Sequence, residues 1–195
     1  MNNKSKLAYL MVAVGFAGLG SLVACQKNAE PVQAAVVPPP PAMPTPVAVA
    51  TPGPAGSPTA ALFAASMNDA TGKAQTMAQW QGKPLLLNFW APWCGPCVKE
   101  MPELSALAGE LKARNINVVG IGIDTPTNIA EFTTKYAIAY PIYVGGMNAT
   151  ELSREFGNKN GGLPYTVLIG ADGKIAHTYL GTLKFDQLKR DLAAL

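Results

Sequence analysis

A short apolar run that opens straight into a helix through a pair of cysteines is the strongest constraint in this chain. Residues 85–90 (Leu-Leu-Leu-Asn-Phe-Trp) form a largely apolar run after Lys83-Pro84, the pattern of a strand buried on both faces. From 96 to 114 the spacing turns helical, with Val98, Met101, Leu104, Leu107 and Leu111 three or four residues apart. Between the two lies Trp90-Ala91-Pro92-Trp93-Cys94-Gly95-Pro96-Cys97. Cys94 is thereby predicted at a helix amino terminus, where free N–H groups and the helix dipole favour an anion and lower the thiol pKa. A thiolate is the attacking species in disulfide exchange, so Cys94 is the expected nucleophile. Cys97, one turn later and shielded by the helix, is the expected resolving thiol. Pro96 suits a first turn, where its missing N–H costs nothing, and Pro92 and Trp93 give the site an apolar rim for a partner.

Two other chemistries use closely spaced cysteines. A zinc site needs four ligands, and the 195-residue chain offers one further cysteine, Cys25, and one histidine, His177. A purely structural bridge across so small a loop would stabilise little. His177 falls on a predicted hairpin strand and is read as an exposed strand residue. No metal site is expected.

The remaining pattern organises the chain into three parts. Lys4 and Lys6 precede an uncharged apolar stretch over 7–20, which fits a secretory signal ending at residue 24. Leu22-Val23-Ala24-Cys25 resembles the lipobox of bacterial lipoproteins, which makes Cys25 the expected lipidated first residue of the mature chain. The competing reading is an uncleaved span, since 7–24 is just long enough to cross a bilayer, at ~17–25 residues. Its small residues near the end suit cleavage better. Gln26 rather than Asp after the cysteine favours the outer membrane by resemblance to lipoprotein sorting. Residues 26–59 hold ten of the seventeen prolines and no aromatic residue. Such a stretch cannot offset its ordering entropy by burial and is expected to act as a disordered tether, reaching at most about 100 Å. Residues 60–195 then form the folded domain. Lys4, Lys6 and Lys27 against Glu30 carry +2 of the net charge of +3, leaving the domain close to neutral and without a nucleic-acid role.

Within that domain, residues 116–123 and 141–144 read as strands, and 127–136, 149–156 and 184–195 as helices. Residues 165–169 and 174–179 flank Ala171-Asp172-Gly173, a hairpin signal. The order predicts an α/β domain with a mixed central sheet and helices on both faces.

The run from 85 to 104 (LLLNFWAPWCGPCVKEMPEL) resembles thioredoxin-like proteins, and in particular the TlpA/ResA-like thiol-disulfide oxidoreductases of the bacterial envelope. A second motif, Gly162-Leu163-Pro164-Tyr165-Thr166, agrees with it. The resemblance implies a thioredoxin-like fold, a cis Pro164 facing the cysteines, and Leu163 as a backbone docking residue for substrate. Where thioredoxin carries a buried Asp, this chain has Asn88, which cannot titrate. The resemblance instead implies Glu100, three residues after Cys97, as the group that tunes the cysteine pKa. It further implies no cofactor beyond the cysteines, protein thiols and disulfides of the periplasm as substrates, and an upstream membrane thiol protein as electron donor. Gly95-Pro96 points to the reducing direction, as in cytochrome c maturation or metal-site assembly. A peroxiredoxin-like peroxidase would need Thr three residues before its cysteine, where Ala91 stands. A copper-binding assembly factor of this fold spaces its cysteines one residue wider.

Overall fold

The computed structural model describes residues 56–195. The amino-terminal signal, Cys25 and most of the expected tether therefore lie outside the described residues. The first helix, α1 (Pro58–Ala64), starts two residues before the expected domain boundary. Ser57 caps it by accepting the Ala60 N–H at 3.2 Å, and Pro58 occupies the first turn.

Two short strands follow, β1 (Ser66–Asp69) and β2 (Ala74–Thr76), then a 3-10 turn over Met77–Trp80. None of these was expected from the sequence pattern. Asp69 closes the β1–β2 turn by accepting the N–H groups of Thr71 and Lys73. These bonds, with those from the Thr71 hydroxyl and Gln75 amide, hold its carboxyl down at about 2.

The central strands occupy the expected places. They are β3 (Leu85–Trp90), β4 (Asn117–Gly122), β5 (Ile142–Val144), β6 (Tyr165–Ile169) and β7 (Ile175–Leu180). Helices α2 (Gly95–Lys112), α3 (Pro126–Lys135), α4 (Asn148–Glu155) and α5 (Phe185–Ala193) alternate with them. The seven strands run β2-β1-β5-β4-β3-β6-β7. β3, β4 and β5 are parallel, while β6 and β7 close one side antiparallel and β1 and β2 the other. The expected mixed sheet is thus present, with an extra hairpin at one edge. Asp172-Gly173 makes the β6–β7 turn, with Gly173 in the left-handed region at φ 77°.

Every side chain of β3 is buried, which accounts for a run that is apolar apart from Asn88. Leu86 and Trp90 pack on one face with α2, α3 and α5, through Met101, Leu104, Ile129, Phe132 and Leu188. Leu85, Leu87 and Phe89 pack on the other with α1 and α4, through Leu62, Phe63 and Ala149. Gly120 of β4 lets the first face close. A Cβ there would lie 2.5 Å from Ile142 Cδ1 and 3.1 Å from both Trp90 Nε1 and the Tyr140 ring.

Candidate functional site

The cysteines sit where β3 gives way to α2. Cys94 is the N-cap residue, and its sulfur accepts the Cys97 N–H at 3.3 Å. The two are joined as a disulfide of 2.07 Å, with Cα atoms 5.3 Å apart. Cys94 is only 6% exposed and Cys97 is fully buried, so the pair lies under the surface in this oxidised state. Beside the buried pair, Trp93 stands exposed, at 68%.

Leu163 and Pro164 enter from the segment before β6, and the peptide bond between them is cis, as the resemblance implied. Asn158 steadies the approach: its amide accepts the Gly162 N–H and donates to the Gly162 carbonyl. The Pro164 carbonyl accepts the Gly181 N–H at 2.9 Å. Leu163, half-buried, packs against both core clusters. Trp93 and Leu163 line the same groove, of about 630 Å³, together with Ile123, Val144 and Met147. The charged side chain in its wall is Asp124.

Glu100 lies on α2 one turn beyond Cys97, on the buried side, and is 3% exposed. Its Oε1 accepts the Asn88 amide at 3.3 Å and its Oε2 the Leu183 backbone N–H at 2.9 Å. Burial pushes the carboxyl up to about 7, against the opposing effect of those two hydrogen bonds. A carboxyl balanced there can hold or release a proton near neutrality.

The structure therefore brings Cys94, Cys97 and Glu100 together on one helix end and places Trp93 and Leu163 along the groove beside them. Sequence reasoning treated Asn88 only as a missing acid. It is a bridge, donating to Glu100 and, at 2.9 Å, to Thr166 on β6. A polar residue inside an otherwise apolar buried strand was the available signal, since such a group requires partners. Leu183 had no signal, because it contributes a backbone N–H. Among the described residues, no cluster of three or more His, Cys, Asp or Glu side chains could hold a metal ion.

Comparison with known proteins places the chain among thiol-disulfide oxidoreductases. The thiol-disulfide oxidoreductase ResA of Geobacillus thermodenitrificans (strain NG80-2) is 26% identical over 130 residues, 66% of this chain and 72% of that protein. The ResA of Bacillus thuringiensis subsp. konkukian (strain 97-27) is 30% identical over 129 residues, 65% of this chain and 71% of that protein. A secreted Mycobacterium tuberculosis disulfide oxidoreductase, homologous to DsbE of E. coli, superposes with a TM-score of 0.58 at 25% identity. That superposition covers 69% of this chain and 98% of the other. With residues 58–178 matching the AhpC/TSA family, the chain belongs to that family and is a thioredoxin-fold thiol-disulfide oxidoreductase.

Proposed function

We propose that the protein works as a reductase of protein disulfides outside the cytoplasm, with Cys94 as nucleophile, Cys97 as resolving thiol and Glu100 as proton carrier. The observation that carries this is the Cys94–Cys97 disulfide at the amino end of α2 with the buried Glu100 carboxyl one helical turn beyond the resolving sulfur. In the reduced enzyme the Cys94 thiolate attacks one sulfur of a substrate disulfide. That S–S bond breaks, a Cys94–substrate disulfide forms, and the first substrate thiolate leaves. Cys97 gives its proton to Glu100 and attacks the Cys94 sulfur, expelling the second substrate thiolate. Two electrons have passed to the substrate, and the enzyme ends with the Cys94–Cys97 disulfide. A thiol protein of the membrane then supplies two electrons to restore the dithiol.

Substrate docks as an extended segment along Leu163, with Trp93 and the groove taking its flanking side chains. In support, Leu163 makes no backbone hydrogen bond within the described residues, which leaves its N–H and C=O for an added strand. Haem-attachment cysteines and thiols of metal sites under assembly are the substrates the TlpA/ResA resemblance suggests. The lipobox-like segment ending in Cys25 supports a lipid anchor and the periplasmic side of a bacterial membrane, with Gln26 favouring the outer one. Among the described residues, no helix is long and apolar enough to cross a membrane.

Trapping tests the reading. Cys97→Ala should accumulate mixed disulfides between Cys94 and envelope proteins, and these should be absent from the Cys94→Ala, Cys97→Ala double variant. If Cys97→Ala captures nothing under conditions where the parent enzyme reduces substrate, the assigned roles are wrong.

A further inference from the structure

Three buried side-chain polar atoms among the described residues lack a hydrogen-bond partner: Asn88 Oδ1, Trp90 Nε1 and the Tyr140 hydroxyl. They are not scattered. Asn88 and Trp90 alternate on β3 and so share its α2 face, the face that also carries Tyr140 and both cysteines in one core cluster. Gly120 is the β4 partner of Asn88, and the position a Cβ would take on it, filled by Ile142 Cδ1 at 2.5 Å, lies 3.1 Å from both Trp90 Nε1 and Tyr140 Cε2, so the indole and phenol rings flank one point beside Asn88. Asn88 itself touches Glu100. The carboxylate charge adds to burial in raising the Tyr140 pKa, so the phenol lies within electrostatic reach of Glu100.

Buried polar groups are as a rule satisfied, and a buried water commonly makes about three hydrogen bonds to groups that would otherwise be orphaned. The three atoms here are of complementary kind: the indole and phenol donate, and the amide oxygen accepts. A water accepting from Trp90 and Tyr140 has two protons to give. One satisfies Asn88 Oδ1, and the other is free for a carboxylate.

We propose that Tyr140 is a positioning residue for the exchange reaction: with Trp90 and Asn88 it holds one buried water that donates a hydrogen bond to Glu100. The inference rests on the reading of Glu100 as proton carrier and adds what orients its proton. That carboxyl accepts directly from Asn88 of β3 and from the Leu183 amide in the loop before α5; Asn88 in turn donates to Thr166 of β6, the cysteines precede Glu100 on α2, and Tyr140, from the segment before β5, feels its charge. Of these only the cysteines, once reduced, and Tyr140 titrate. The phenol stays neutral through the physiological range and acts as a fixed donor. Its removal weakens the water's hold on the charged carboxylate, so Glu100 should bind its proton more tightly.

The test uses the full oxidised chain, with the Glu100 carboxyl followed by carbon-13 NMR as pH is varied and assigned by its loss in Glu100→Gln. Tyr140→Phe removes one oxygen and should raise the midpoint by about half to one pH unit, a roughly three- to tenfold tighter proton. A high-resolution crystal structure should place a water within hydrogen-bond distance of the three atoms, and Tyr140→Phe should lose or displace it. An unchanged midpoint in a folded Tyr140→Phe, or a dry site, overturns the inference. The underlying reading fails separately: Glu100→Gln would then leave the pH profile of disulfide reduction unaltered. If Glu100→Gln flattens that profile while Tyr140→Phe moves nothing, only the role of Tyr140 falls.

Discussion

Glu100 and Leu183, 83 residues apart in sequence, are joined by a 2.9 Å hydrogen bond from the Leu183 backbone to the buried carboxylate. Two residues earlier in the same loop, the Gly181 N–H is bonded to the Pro164 carbonyl. Asn88 completes the other side of the circuit, from Glu100 to Thr166, two residues after Pro164. The proposed docking segment and the proposed proton carrier are therefore tied together along both routes.

Burial of Glu100 makes stability depend on pH in a definite direction. Its folded pKa, about 7, lies above the ordinary 4.5, so between those values the folded protein holds a proton that the unfolded chain has lost. The stabilising contribution is complete below about 4.5 and disappears as pH rises through about 7. Denaturant unfolding of the oxidised protein should show a loss on the order of 3 kcal/mol across that window from this group. Glu100→Gln should remove most of the slope, and an equal slope in that variant would rule the assignment out.

Asn88→Asp would set a second carboxylate 3.3 Å from Glu100 in place of a donor. Two carboxyls in one buried site cannot both ionise readily, so the pair should retain a proton well above the pH at which Glu100 alone releases it. Because the carboxyl must be ionised to take the Cys97 proton, the acid limb of the disulfide-reduction profile should move to higher pH. A profile identical to the parent would count against a functional contact between residues 88 and 100.

Two glycines should respond to alanine with opposite sign. At Gly120 the new methyl meets Ile142 Cδ1 at 2.5 Å, Trp90 and Tyr140, and overpacking should cost about 1–3 kcal/mol. Gly109 lies exposed within α2 with nothing inside 4 Å of its added carbon. There alanine should stabilise by about 0.5–1 kcal/mol through helix propensity. Midpoints of urea unfolding compare the two directly.

Cys25→Ala should abolish incorporation of radioactive palmitate and release the protein from the membrane fraction. Label retained by that variant would exclude Cys25 as the acylated residue.

The parts of the fold legible in the sequence are those whose pattern reflects their own burial. β3 and β6 are buried throughout and apolar but for Asn88 and Thr166, and Asp172-Gly173 names its turn. β1 and β2 (Ser-Met-Asn-Asp and Ala-Gln-Thr) were invisible because neither carries a run of apolar residues. β1 takes its place by pairing with β5 and β2 by pairing with β1, relations that local composition does not encode. The cysteines could be located because a helix start has a sequence signature. The burial of Glu100 could not, because its partners are an amide on β3 and a main-chain N–H near the carboxyl end.

One feature of the architecture bears on where such a protein can work. The chain comes into the fold through α1, which packs on the sheet face opposite α2. Tension applied at the amino end is thus borne by the far layer of the molecule and not by the redox helix. On the expected tether reading of residues 26–55, shortening that proline-rich segment should narrow the enzyme's reach and leave its chemistry unchanged.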